Sequence, residues 1–168
     1  DELPDKWMTG TQNFACLCGA RAAVDYLADL GRTVAADGSL QRRSALQSAY
    51  TAIVNYETQL GRQLLEGLAG IEGLTIYGIC DPDRSDQRVP TVCITHPDWT
   101  STELAEQLGN HGIFTWQGNY YALQLTETLH LEPAGMLRIG LVHYNTEQEV
   151  DRLISVLTGI LKEPRPHE

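Results

Sequence analysis

The stretch MLRIGLVHYNTEQEVDRLISVLTGIL, from Met136 to Leu161, decides the fold. Its first seven residues read as a strand. Leu137, Ile139 and Leu141 point to one side, and Arg138 and Gly140 to the other. Thr146 followed by Glu149 forms a capping box, which opens a helix. Val150, Leu153, Ile154, Leu157, Ile160 and Leu161 then recur at helical spacing on one face. A one-sided strand followed at once by a one-sided helix calls for a sheet whose apolar face is covered by helices.

The same reading extends upstream. A helix is expected over about 14–30, with Asn13 as its N-cap and Gly31 as its end. Phe14, Leu17, Ala20, Val24 and Leu27 carry its apolar period. A long helix is expected over about 42–67. Strands follow at 74–79 and 89–95, split by the polar loop 81–86. Thr100 and Glu103 start a helix to about 110. A third strand is expected at 113–116, a loop at 117–122, and a short helix at 123–130. The expected fold class is α+β: a small, mainly antiparallel sheet with helices packed on one face, preceded by two helices. Residues 1–40 read as a lead-in from another domain, and residues 41–168 as the α+β domain itself.

Composition narrows the function classes. The chain has 168 residues, 42% apolar and 20% charged, which is ordinary globular usage and excludes a disordered or fibrous chain. The net charge of −10 disfavours nucleic acid as the main partner. No apolar run reaches the roughly 20 residues needed to span a bilayer. The expected compartment is the cytoplasm. Four cysteines in a chain of this length make no disulfide scaffold. Cys16 and Cys18 stand two apart on a helix, a poor spacing for shared metal ligation, and the cysteines read as small buried apolar residues. No histidine or cysteine pair has metal-ligand spacing, so no metal site is expected.

Four local features carry chemistry. Gly10 and Thr11 precede a helix start, where free N–H groups suit a phosphate; a plain capped helix start is the alternative. Arg138, opposite a glycine on a strand face, suits a fork that grips a carboxylate; an edge arginine is the alternative. Asn119, Tyr120 and Tyr121 crowd one loop, either lining a pocket or packing a turn. His143 reads as a structural histidine; a general base is the alternative.

Together, in this order, these features resemble a known family. TGTQN, GARAAVDYLADLG, YETQL, LTIYG, RVPTV, GI-x-x-W-x-G-NYYA and LRIGLVHYNT followed by EQEVD are similar to the C-terminal part of class V aminotransferases, in the branch that includes cysteine desulfurases. The resemblance implies fold type I and pyridoxal phosphate as cofactor. It implies that Gly10 and Thr11 contact the cofactor phosphate, in the family that of the other subunit of a homodimer. It implies that Arg138 holds the carboxylate of an amino acid substrate, with Asn119, Tyr120 and Tyr121 beside it.

Two departures follow from the same resemblance. Where related desulfurases carry a sulfur-accepting cysteine in a loop, this chain has Gly118-Asn119-Tyr120-Tyr121-Ala122, and a tyrosine forms no persulfide. The family's covalent cofactor lysine lies upstream of the Gly-Thr pair, whereas the lysines here are Lys6 and Lys162. The opening DELPDKW has no starting Met. The chain is therefore expected to be the rear part of a longer enzyme, inactive without the large domain. The alternative is a non-catalytic binding or interaction module that keeps the fold without the chemistry. Apolar surface is expected on helices 14–30 and 42–67, where the large domain would dock.

Overall fold

The computed structural model describes residues 6, 8 and 10–162. Helices α1 (Phe14–Val34) and α2 (Arg42–Ala69) come first. Then follow β1 (Thr75–Tyr77), a 3-10 turn (Pro82–Gln87), β2 (Thr91–Thr95), α3 (Ser101–Asn110), β3 (Trp116–Gly118), α4 (Leu123–Thr128), β4 (Met136–Gly140) and α5 (Glu147–Lys162). The element order is the one expected from the sequence. The chain divides into two compact units after Val54, part-way along α2.

The second unit holds the sheet. Its strands run β1-β2-β4-β3, every neighbouring pair antiparallel. Val92 pairs with Ile139 and Ile94 with Leu137. All four are at most 3% exposed, so this face is the core face. Leu60, Leu64 and Leu68 of α2, Leu104 and Leu108 of α3, and Val150 and Leu157 of α5 pack into the same core. Each fully buried aliphatic side chain contributes about 1.5–3 kcal/mol. The fold class is therefore α+β, with helices covering one face of a small antiparallel sheet.

Both capping boxes form. The Thr100 hydroxyl accepts from the Glu103 amide at 3.2 Å, and the Glu103 carboxylate accepts from the Thr100 amide at 2.6 Å. Thr146 and Glu149 repeat the exchange at 3.2 and 2.8 Å. The bonds from Thr146 and Asn145 to the Glu149 carboxylate hold its pKa below the usual range.

Four expectations need correction. Gly31 does not end α1, which runs on to Val34. It is a contact glycine: a Cβ there would lie 1.8 Å from the Ala45 carbonyl oxygen. The third strand starts at Trp116, not at residue 113. The Ile113 amide donates to the Leu108 carbonyl at 2.9 Å and closes the end of α3, with Gly112 at φ +69°. Residues 113–115 are thus used up in leaving the helix. The first strand is shorter than 74–79, because only 75–77 pair with β2. Cys16, Cys18 and Cys80 are exposed and not buried.

In the first unit the buried positions are small: Ala28, Ala45 and Ala49, with Gly31 beside them. Phe14, Leu17 and Val24 carry the apolar period of α1 but lie exposed, as do Tyr26, Tyr50 and Val54. Apolar surface thus stands on both helices. Among the described residues, no helix is long and apolar enough to cross a membrane.

Gly31→Ala is expected to lower stability by about 1–3 kcal/mol, because backbone faces the added methyl. Gly19→Ala on the same helix meets nothing within 4 Å and is expected to stabilise by about 0.5–1 kcal/mol. Urea unfolding midpoints of the two variants check the contrast.

Candidate functional site

The face of the sheet away from the core carries a row of side chains set by register. Tyr77 pairs with Cys93, Cys93 with Arg138, and Arg138 with Trp116. Directly opposed residues share a face, so these four lie side by side across the four strands. They belong to the parity opposite to Val92, Ile94, Leu137 and Ile139. The helices cover the other face, which leaves Arg138 half-buried and not packed away.

The Arg138 guanidinium carbon lies 4.8 Å from the Tyr120 ring centroid and 5.7 Å from that of Trp116. Both distances are within cation–π range. Among the described residues, no hydrogen bond or ion pair engages this guanidinium. Its neighbour Arg88 is spent differently. One Arg88 nitrogen donates to the Thr91 carbonyl at 2.6 Å and another to the Ile79 carbonyl. Arg138 is thus ring-flanked and, among the described residues, without an acceptor.

The 118–122 turn supplies Tyr120. Tyr120 and Tyr121 take left-handed backbone, φ +54° and +62°, and Gly118 has φ +109°. The Ala122 amide closes the turn on the Asn119 carbonyl at 2.7 Å. The Tyr120 hydroxyl reaches the carbonyls of Trp116, at 3.2 Å, and of Met136. Burial pushes the Tyr120 phenol well above its usual pKa; Cys93 adds to the shift and Arg138 opposes it. Burial likewise raises the Cys93 thiol, against the pull of Arg138 and Arg88.

The other expected site residues fall as follows. The Asn119 side-chain oxygen accepts from the Tyr121 amide at 3.2 Å, and its amide donates to Glu132 at 3.3 Å, so it braces the turn. Tyr121 is 99% exposed at the tip. Gly10 and Thr11 belong to the first unit. They line an open depression of about 450 Å³ with Met8, Gln12, Asn13, Cys16 and Leu17. Asn13 caps α1 by accepting from the Cys16 amide at 3.1 Å. Among the described residues, nothing accepts from the Thr11 hydroxyl or from the amides of Thr11 and Gln12. His143 sits 3.9 Å from Glu57, edge-on to Tyr144.

Trp116 and Cys93 were legible only as a strand residue and a small apolar residue. Their neighbourhood with Arg138 depends on strand order and register. The parity of Cys93, between inward-facing Val92 and Ile94, was the one signal available.

The fit to pyridoxal phosphate can be tested on these residues. Unclaimed donors at Gly10–Thr11 suit a phosphate, and an unclaimed guanidinium suits a carboxylate. Neither Lys6 nor Lys162 lines the depression at Gly10–Thr11 or stands in the Arg138 row. Among the described residues, no group of three or more metal-ligating side chains occurs.

The α+β fold is shared with solved cysteine desulfurase structures. Residues 1–153 match the family model described as aminotransferase class-V. An aminotransferase-like protein of Gibberella zeae is 30% identical over 89% of this chain and 43% of its own length. A cysteine desulfurase of Enterobacter sp. (strain 638) is 30% identical over 95% of this chain and 33% of its own. The apo structure of a cysteine desulfurase from Thermococcus onnurineus NA1 superposes with a TM-score of 0.74 and 22% identity, covering 96% of this chain and 34% of that one. The chain belongs to the aminotransferase class-V family, a family of pyridoxal-phosphate enzymes, and is cysteine desulfurase-like. It spans roughly a third to two-fifths of the length of these relatives.

The folded state favours neutral Cys93 and neutral Tyr120. The stability each contributes is complete below its ordinary value, 9.0 for the thiol and 10.0 for the phenol. It is lost as pH rises from there towards the raised folded values. Thermal melts between about pH 8 and 11 are expected to fall less steeply in Cys93→Ala than in the wild type.

Proposed function

We propose that this chain forms the substrate-carboxylate side of a pyridoxal-phosphate enzyme acting on an amino acid. Residues 1–40 are the lead-in from the large domain, and residues 41–168 are the C-terminal small domain. Arg138 takes the α-carboxylate in a bidentate, charge-assisted pair. Thr11, with the backbone at Gly10, donates to the cofactor phosphate, across the interface of a homodimer. Asn119, Tyr120 and Tyr121 form the adjoining wall. The compartment is the cytoplasm.

The observation that carries this reading is the Arg138 guanidinium: half-buried, flanked by rings and, among the described residues, without an acceptor. A fork with no partner among the described residues has its donors ready for a ligand. Pyridoxal phosphate, when bound, supplies the electron sink for breaking a bond at the amino acid's α-carbon. The part of Arg138 is orientation. It fixes the carboxylate, and so decides which bond stands ready to break. Thr11 would anchor the opposite end of the assembly. By itself the chain is inactive, because neither lysine stands with these groups. Tyr121 replaces the loop cysteine of related desulfurases, so sulfur transfer through that loop is not part of the proposal.

The position of Lys6 and Lys162 favours a second reading, a binding module that keeps the fold without the chemistry. Visible cofactor absorbance in the complete protein supports the enzyme; its absence at saturating pyridoxal phosphate supports the module.

Arg138→Lys in the complete enzyme is expected to raise KM for the amino acid roughly 10- to 150-fold. That corresponds to the roughly 1.5–3 kcal/mol of a charge-assisted pair whose fork is lost. An unchanged KM would remove Arg138 from the carboxylate role.

A further inference from the structure

An arginine that receives a carboxylate must be held still without spending its own donors. The common holder is an acidic side chain. Such a holder neutralises the charge and occupies the edge that the ligand needs. Arg138 has no such partner among the described residues. What lies against it are two π faces, Tyr120 at 4.8 Å and Trp116 at 5.7 Å. An aromatic face attracts the cation through its quadrupole and leaves the N–H edge of the guanidinium unclaimed.

The Tyr120 ring is itself fixed at both ends. Its backbone sits at φ +54°, a conformation that costs a non-glycine residue energy and persists only when its surroundings enforce it. Its hydroxyl folds back to the carbonyls of Trp116 and Met136. Trp116 is the residue paired with Arg138 across β3 and β4, and Met136 precedes Arg138 by two positions on β4. The ring is therefore tied to the same two strands that carry the arginine. Asn119 braces the turn from the other side through Glu132. By contrast Tyr121, its neighbour, is 99% exposed and, among the described residues, hydrogen-bonds through its backbone amide alone.

We infer that Tyr120 is a positioning residue: its pinned ring, with Trp116, holds the Arg138 guanidinium flat and leaves the donor edge open for the substrate carboxylate. This rests on the carboxylate role of Arg138 proposed above. Besides its place in the adjoining wall, Tyr120 acts through the arginine. The ring is the operative part; the braced turn and the packing of the ring on the arginine hold it, and the hydroxyl adds to that hold.

Two readouts separate this inference from the role on which it rests. The first uses protein without cofactor or substrate, labelled with 15N at arginine, with the Arg138 signal assigned by its loss in Arg138→Lys. The Arg138 Nε–H proton is expected upfield of ordinary arginines, through the ring currents of Tyr120 and Trp116. It should move back in Tyr120→Leu and stay in Tyr120→Phe. The second is steady-state kinetics of the complete, cofactor-loaded enzyme. Tyr120→Leu is expected to raise KM for the amino acid about tenfold while kcat changes far less, the size a desolvated cation–π pair supports. Tyr120→Phe keeps the ring and should stay within about threefold of the wild type.

A resonance that does not move in Tyr120→Leu overturns the positioning role, whatever the kinetics. So does a wild-type KM in Tyr120→Leu when Arg138→Ala raises it. A Tyr120→Phe variant as impaired as Tyr120→Leu also overturns it, because the ring is then not the operative group. If Tyr120→Leu fails to fold, a Tyr120→Phe variant whose KM rises about tenfold overturns it as well. If Arg138→Ala leaves KM unchanged, the carboxylate role fails and the positioning role with it, and the resonance shift shows that the stacking itself survived.

Discussion

The antiparallel pairing of β2 with β4 is the constraint on which the rest depends. Val92 and Ile94 face the helices only because they lie opposite Ile139 and Leu137. A register slip of one residue would turn every one of them outward and drive Cys93 and Arg138 into the core. Burying an unpaired guanidinium there would cost several kcal/mol. The register that makes the core is therefore also the one that presents the arginine. Stability and site come from one alternation.

Around that pairing, the remaining elements play distinct parts. The helices α2, α3 and α5 supply the leucine-rich layer that seals the core face. The 118–122 turn bends back over the open face and brings Tyr120 to the arginine. The turn accepts two consecutive left-handed non-glycine residues to do so. Strain of that kind persists only where the surrounding structure enforces it. The first unit differs in character. Its buried positions are alanines beside a glycine, which lets two helix backbones approach closely, while its larger apolar side chains lie outside.

The chain belongs to the aminotransferase class-V family, and one turn marks what is particular to it. The relatives named above are two to three times longer than this chain. The residues that most distinguish this chain lie in the turn at 118–122. There a tyrosine pair stands where the resemblance expects a thiol. One tyrosine is turned inward onto Arg138 and the other is left in solvent. The same residue type thus has two unlike settings at adjacent positions.

Much of this was determined by the sequence alone. Alternation over 136–142 and the two capping boxes settled the strand, the helices and the layer order, because these signals are local and each residue's neighbours in the chain suffice to read them. Arg138 stood out for the same reason, as the charge in an apolar strand. The role of Gly31 was not readable, since a close helix contact and a helix end use the same residue for different purposes. The start of β3 was hidden because the Ile113 amide closes α3. Above all, the company kept by Arg138 was decided by tertiary structure. Cys93, Trp116 and Tyr120 lie 45, 22 and 18 positions away in the chain. Only strand order, register and the fold-back of one turn bring them together, and those are set by how a whole face buries itself.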